Sequence, residues 1–279
     1  DKDSLWKGET LYHLYEKAHT PWEWHKAIFE RCKECGIMGF STPFDDTSVD
    51  FLEDLGVPCY KIASFENVDL PLIRKVARTG KPIIASTGMT TVAELSDLVQ
   101  TVRENGCTDL TLLKCTSSYP ASPEGTNLRT IPHMRELFGC AVGLSDHTLG
   151  IGAAVASVAL GAAVIEKHFT LSRAEGGVDA AFSLEPAEMA QLVRECRTAA
   201  LALGTVSYER AEQEQKSLQF RRSLYVVEDM KAGDVFTEKN LRRIRPGMGL
   251  SPKYYDIILG KKANCSITRG TAVQWDLIE

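Results

Sequence analysis

Short apolar runs recur along this chain, each followed by polar residues and then a helix-like stretch. They lie at Ile37 to Ser41, Tyr60 to Ser64, Pro82 to Ser86, Leu110 to Cys115, Ala141 to Leu144 and Val164 to His168. Spacings of roughly 20 to 30 residues are those of β-α units in series, which fold as parallel strands covered by their crossover helices. Polar residues fall at or near the C-terminal ends of the runs: Thr42, Lys61, Ser64, Glu66, Ser86, Thr87, Ser117, Asp146, His147 and His168. An open sheet would spread these along an edge, whereas a closed barrel brings them to one mouth. The predicted fold is therefore α/β, a (β/α)8 TIM-type barrel whose first two β-α units are missing from the chain as it stands.

His147 and His168 each end a run, and between them Gly150 to Ala163 is almost wholly Gly, Ala, Val, Ile and Leu. That is a strand, a buried helix and a second strand. In a right-handed β-α-β unit the two parallel strands emerge on the same rim, so the two histidines are expected side by side. Two neutral imidazoles with oxygen ligands suit a divalent metal with a position left for substrate. Oxygen-rich surroundings favour Mn2+ or Mg2+ over zinc. Asp146 and Glu166 are the expected hydrogen-bonding partners behind the imidazoles. The alternative is a pair of unrelated strand-capping histidines.

Upstream, Tyr12 and Tyr15 are read as core, and Trp22 and Trp24 as core or as the wall of a substrate pocket. Thr20-Pro-Trp-Glu predicts a helix start, with Thr20 as cap, Pro21 at the first position and Glu23 completing a capping box. Downstream, Pro186 opens a helix to Leu203 and Gly204 ends it. Residues 1–204 are assigned to the barrel, 205–217 to a polar linker and 218–279 to a small, mostly β module with runs at Leu224 to Val227, Ile257 to Leu259 and Thr271 to Trp275. Within that module Arg245 precedes Pro-Gly, a constrained turn from which a guanidinium can grip an anion or a sugar.

A formal net charge of -5 offers no global attraction to nucleic acid or to an anionic membrane. No apolar run reaches spanning length, and Asp1 to Trp6 lack the order of a signal peptide, so the cytoplasm is the expected location. The eight cysteines sit in strand and helix patterns, as reduced thiols do. Cys32-Lys-Glu-Cys35 stands alone on a predicted helix, and Gly150-Ile-Gly152 lacks the rest of a dinucleotide fingerprint.

Six strings in one order, Phe40-Ser-Thr-Pro-Phe44, Tyr60-Lys-Ile-Ala-Ser64-Phe-Glu66, Ile84-Ala-Ser86-Thr-Gly-Met89, Cys115-Thr-Ser-Ser-Tyr-Pro120, Gly143-Leu-Ser-Asp-His-Thr148 and Glu166-Lys-His-Phe-Thr170, resemble the sialic acid synthase family. The C-terminal module resembles its antifreeze-like (SAF) domain. Three further stretches, at Thr20 to His25, Gly176 to Pro186 and Phe220 to Val227, look most like the branch that makes pseudaminic acid.

The resemblance implies condensation of phosphoenolpyruvate with the open-chain aldehyde of a 2,4-diacetamido-2,4,6-trideoxy hexose, releasing phosphate. Lys61, Thr42, Ser64, Ser86, Ser117 and Ser145 would hold phosphoenolpyruvate. Glu66, Tyr119 and Asp179 would address the sugar and, with Lys61, serve catalysis. Trp22 or Trp24 would meet the deoxygenated carbon 6. It further implies a domain-swapped homodimer in which Arg245 reaches the other subunit's barrel. Members of the family begin with two further β-α units that carry an acid and a lysine, so a fragment with weak or no turnover is expected. N-acetylneuraminate or legionaminate synthesis, a metal-dependent lyase of the aldolase type, and a non-catalytic carbohydrate-binding or structural protein are the alternatives.

Overall fold

The computed structural model describes residue 8 and residues 10–279. Asp1 to Trp6, on which the signal-peptide reading rests, and Glu9, where the aromatic stretch begins, lie outside the described residues. The chain divides into two compact units at Gly204 and Thr205.

The first unit opens with helices α1 (Leu11–Ala18), α2 (Trp22–Glu34) and α3 (Asp46–Asp54). Strands and helices then alternate: β1 (Tyr60–Ile62), α4 (Leu70–Ala77), β2 (Ile83–Ser86), α5 (Val92–Glu104), β3 (Leu110–Cys115), α6 (Thr130–Phe138), β4 (Ala141–Asp146), α7 (Gly152–Ala159), β5 (Val164–Lys167) and α8 (Pro186–Leu203). All five strands are parallel, in the order β1-β2-β3-β4-β5, and the sheet curls as half of a barrel. Strand ladders of Val, Ile and Leu meet the apolar faces of the helices in one core that includes Ile62, Ile73, Leu98, Leu112, Ile131, Leu144 and Leu192. Burial of this kind of surface is worth about 25 cal/mol per Å2 and dominates the stability of such layers.

Local chemistry sets where each helix begins. Asp45 and Ser48, and Thr91 and Glu94, form capping boxes on α3 and α5, the Glu188 carboxylate accepts from the Glu185 amide at the start of α8, and Asp69 caps α4. Asn105-Gly106, a pair common in hairpin turns, instead closes α5, with Gly106 at φ 94. Close approach requires glycine at position 143, where a Cβ would lie 2.1 Å from the Val164 carbonyl oxygen and 2.6 Å from Leu113 Cδ2.

Four local expectations are corrected. The run Ile37 to Ser41 forms no ladder, since only Ser41 bridges to Tyr60 while Ile37 and Met38 stay exposed; a single bridge cannot hold an edge strand. Tyr12 and Tyr15 are exposed rather than core, and Leu14 is the residue that α1 buries. Thr20 does not cap α2: Pro21 takes that place without a side-chain bond, and its carbonyl meets His25 Nδ1 at 3.2 Å. In the second unit, Ile257 to Leu259 belongs to a helical turn (Tyr255–Ile258) rather than to a strand.

That second unit holds an antiparallel pair, β6 (Ser223–Val226) and β7 (Leu241–Ile244), extended by bridges such as Met230 to Ile267 and Ala263 to Ile278. Its own core gathers Leu224, Val226, Phe236, Leu241, Ile258 and Val273. Arg245 lies just past β7 and is exposed. All eight cysteines are free. Among the described residues no helix is long and apolar enough to cross a membrane.

Candidate active site at the C-terminal rim

Asp146 and Lys167 are register partners at the ends of β4 and β5, so the next residues, His147 and His168, come side by side with ring centroids 5.2 Å apart. His147 Nδ1 lies 2.8 Å from the Thr116 carbonyl oxygen. A carbonyl can only accept, so this bond places the proton on Nδ1 and leaves Nε2 with its lone pair. His168 Nδ1 lies 3.5 Å from Asp179 Oδ2. Burial pushes His147 towards the neutral form, but the Cys115 thiol and the Thr116 carbonyl outweigh it and raise its pKa. Burial lowers that of His168, with Asp179 opposing.

The partners expected behind the imidazoles are not the observed ones. Asp146 Oδ1 accepts from the Thr148 amide and hydroxyl, and Oδ2 takes Lys167 Nζ at 2.8 Å. Glu166 meets Lys61 Nζ and the Ser86 hydroxyl, each at 3.3 Å. Successive residues of a strand face opposite ways, so Asp146, just before His147, is turned away from it, while Glu166, two residues before His168, is engaged by Lys61 and Ser86 instead. Thr116 and Asp179 fill the role instead. Among the described residues no group of three or more His, Cys, Asp or Glu side chains converges to hold a metal. The histidine pair, each with Nδ1 already engaged, is nevertheless a donor set that suits a divalent metal with open positions.

Beside the histidines the earlier strands bring together a second group. Lys61, 7% exposed, donates to Ser86 Oγ at 2.7 Å and to the Ile62 carbonyl at 3.2 Å. Ser64 donates to Cys115 Sγ at 3.2 Å. Burial alone would raise the Cys115 thiol, but His147, Ser64 and Ser145 bring it down to about 7. Gly88, at φ +40, approaches so closely that a Cβ there would meet Ser64 Cβ at 2.5 Å and Ser117 Oγ at 2.6 Å. Ser117 Oγ and Glu66 Oε2 are buried without a hydrogen-bond partner, and burial raises the Glu66 carboxyl. Orphaned buried polar atoms are costly unless a ligand completes them.

Tyr119 covers the pair, with its ring 4.3 Å from that of His147 and 6.1 Å from that of His168; Phe182 backs both Tyr119 and His168. Burial and nearby anionic groups push the Tyr119 phenol up to about 12, so it stays a proton donor. Thr42 is found elsewhere, in a cavity of about 500 Å3 with Trp22, Ser41 and Asp45. Trp22 stacks on Phe51 at 4.5 Å, and Trp24 is 57% exposed.

Sequence reasoning missed Cys115, Gly88, Lys167, Phe182 and Asn67, whose amide donates to the Ser86 and Thr87 carbonyls and so fixes the loop after β2. Cys115 and Lys167 each stand at the end of a strand run and could have been found by that signal. Gly88 and Asn67 act through contacts between loops, which no local pattern marks.

A curled parallel sheet with a histidine pair and a lysine-hydroxyl cluster at its C-terminal rim, joined to a small β module, defines a barrel enzyme with an appended domain. The chain belongs to the NeuB family, whose model matches residues 1–208, and an SAF domain matches residues 221–279. It is 43% identical over 280 residues to the pseudaminic acid synthase of Helicobacter pylori, covering 99% of this chain and 82% of that protein. The N,N'-diacetyllegionaminic acid synthase of Campylobacter jejuni is 40% identical, over 91% of this chain and 77% of its own length. Among solved structures, the N-acetylneuraminic acid synthetase of Leptospira borgpetersenii matches with TM-score 0.71 and 30% identity, over 79% of this chain and 77% of that one.

Proposed function

We propose that this chain condenses phosphoenolpyruvate with the open-chain form of a 2,4-diacetamido-2,4,6-trideoxy hexose, releasing phosphate and giving a nine-carbon 2-keto acid. The observation that carries the reading is the cluster of Lys61, Ser64, Ser86 and the orphaned Ser117 around Gly88, next to the histidine pair. Identity of 43 to 44% to pseudaminic acid synthases over nearly the whole chain supports the choice of sugar.

In this reaction carbon 3 of phosphoenolpyruvate bonds to the aldehyde carbon, water adds at carbon 2, and the tetrahedral product expels phosphate. Lys61 binds the phosphate and carboxylate with Ser64, Ser86, Ser117 and Ser145, and charge-assisted bonds from a buried ammonium are the strong kind. Thr42 is assigned to the same ligand from the family resemblance. Glu66 offers a buried oxygen that a sugar hydroxyl or amide would complete. Tyr119 donates from its phenol, and Asp179 both orients His168 and faces the sugar. Mn2+ or Mg2+ on Nε2 of His147 and His168 would supply Lewis acidity at the aldehyde oxygen. Trp22 and Trp24 are proposed as the apolar wall for carbon 6; Trp22 lines a cavity with Thr42.

The same proposal includes a homodimer, a cytoplasmic location and an Arg245 that addresses the sugar from a second copy of the chain. Mixing Arg245→Ala with His147→Ala protein should then restore part of the activity; no recovery counts against action in trans.

A phosphate-release assay of the full-length protein with phosphoenolpyruvate tests the whole reading. It compares the hexoses that lead to pseudaminic and legionaminic acids with N-acetylmannosamine. The first is expected to lead by about 10-fold or more in kcat/KM, as an apolar pocket discriminates by about 1 to 3 kcal/mol per small group. No phosphate with any sugar would overturn the reaction; a different leading sugar would overturn only the substrate.

A further inference from the structure

The ion pair between Lys167 and Asp146 is withdrawn from water, with side chains 1% and 0% exposed. It is also fully hydrogen-bonded on the acid: Lys167 Nζ lies 2.8 Å from Oδ2, while the Thr148 amide and hydroxyl lie 2.9 and 2.8 Å from Oδ1. Lys167 Nζ also donates to the Thr148 carbonyl. Burying two charges costs several kcal/mol each, and an apolar pair of similar size would often be at least as stable. What an ion pair adds is a fixed direction and distance.

Its position gives that direction a use. Asp146 and Lys167 form the last rung of the β4–β5 ladder, one residue before His147 and His168. On the far sides the histidine backbones are already held: the His147 carbonyl accepts from Ala121 and the His168 carbonyl from Leu184. The rung between the two strands then sets how far apart the two histidine backbones stand, while Thr116 and Asp179 hold the rings.

We infer that Asp146 and Lys167 are a positioning pair that fixes the separation of His147 and His168 and thereby the affinity of this rim for a divalent metal. The inference rests on the metal reading proposed above. Neither residue touches the metal; both act through the histidine next in sequence.

Titration calorimetry of the full-length protein with Mn2+ alone tests it, using Lys167→Met, Asp146→Asn and a control, Leu72→Ala. Leu72 is a core residue of α4, and its truncation lowers stability without touching the rung. Lys167→Met and Asp146→Asn are expected to lose about 10- to 100-fold in Mn2+ affinity, as is typical when the groups behind metal ligands are removed. Leu72→Ala should stay within about threefold at a comparable fall in melting temperature. Asp146→Asn keeps an oxygen for the Thr148 bonds, so it carries the test if Lys167→Met does not fold. Wild-type affinity in the folded pair variants overturns the inference while leaving the metal reading intact. Failure of the wild-type protein to bind Mn2+ overturns both.

Discussion

Replacing Lys61 with methionine is expected to lower kcat/KM for phosphoenolpyruvate by about 100- to 1,000-fold, the usual cost of removing a strong donor from an anion-stabilising site. Two effects act together. The substrate loses a buried ammonium whose present partners are Ser86, the Ile62 carbonyl and Glu166. Glu166 loses the cation that faces it at 3.3 Å and then presents a carboxylate to an anionic ligand. A Lys61→Met, Glu166→Gln double variant should therefore bind phosphoenolpyruvate better than the single variant, yet turn over no faster than a tenth of the wild-type rate. Steady-state phosphate release, with circular dichroism to confirm folding, reads both. A loss below about tenfold in the single variant would remove Lys61 from the anion site.

Gly143→Ala should destabilise the fold by about 3 kcal/mol, at the upper end of what overpacking costs. The added methyl meets the Val164 carbonyl at 2.1 Å, and that neighbour is strand backbone in the β4–β5 ladder rather than a movable side chain. Relief requires the two strands to part at the first rung of their ladder, at the opposite end from the histidines. Urea denaturation measures the loss, and a change under about 1 kcal/mol would mean that the approach is looser than it stands.

Much of this was legible in the chain. The period of apolar runs shows the β-α repeat because each run must cover one core rung, and His147 and His168 follow as neighbours from strand order alone. Pro186 and Gly204 mark α8 because their backbone constraints are local. The failures have equally physical causes. Asp146 was matched to the histidine beside it in sequence, although alternation along a strand turns it away, and its partner Lys167 lies 21 residues on. Tyr12 and Tyr15 carry an apolar signature without a surface to cover them. The closeness of Gly88 to Ser64 and Ser117 joins loops from three different units, and nothing in any one of those loops announces it.

The residues proposed for the two substrates are held differently by the fold: three of the six assigned to phosphoenolpyruvate are fixed in strands, with Thr42, Ser64 and Ser117 outside them. Lys61, Ser86 and Ser145 lie within strands, in registers that the core cannot change without unfolding. Glu66, Tyr119 and Asp179 lie in the connections beyond the strand ends, where length and composition are free to vary. A scaffold divided in this way can exchange one sugar for another over evolutionary time while its treatment of the shared three-carbon acid stays fixed. Relatives at 40% identity carrying the names of different nonulosonic acids are the outcome such a division would produce.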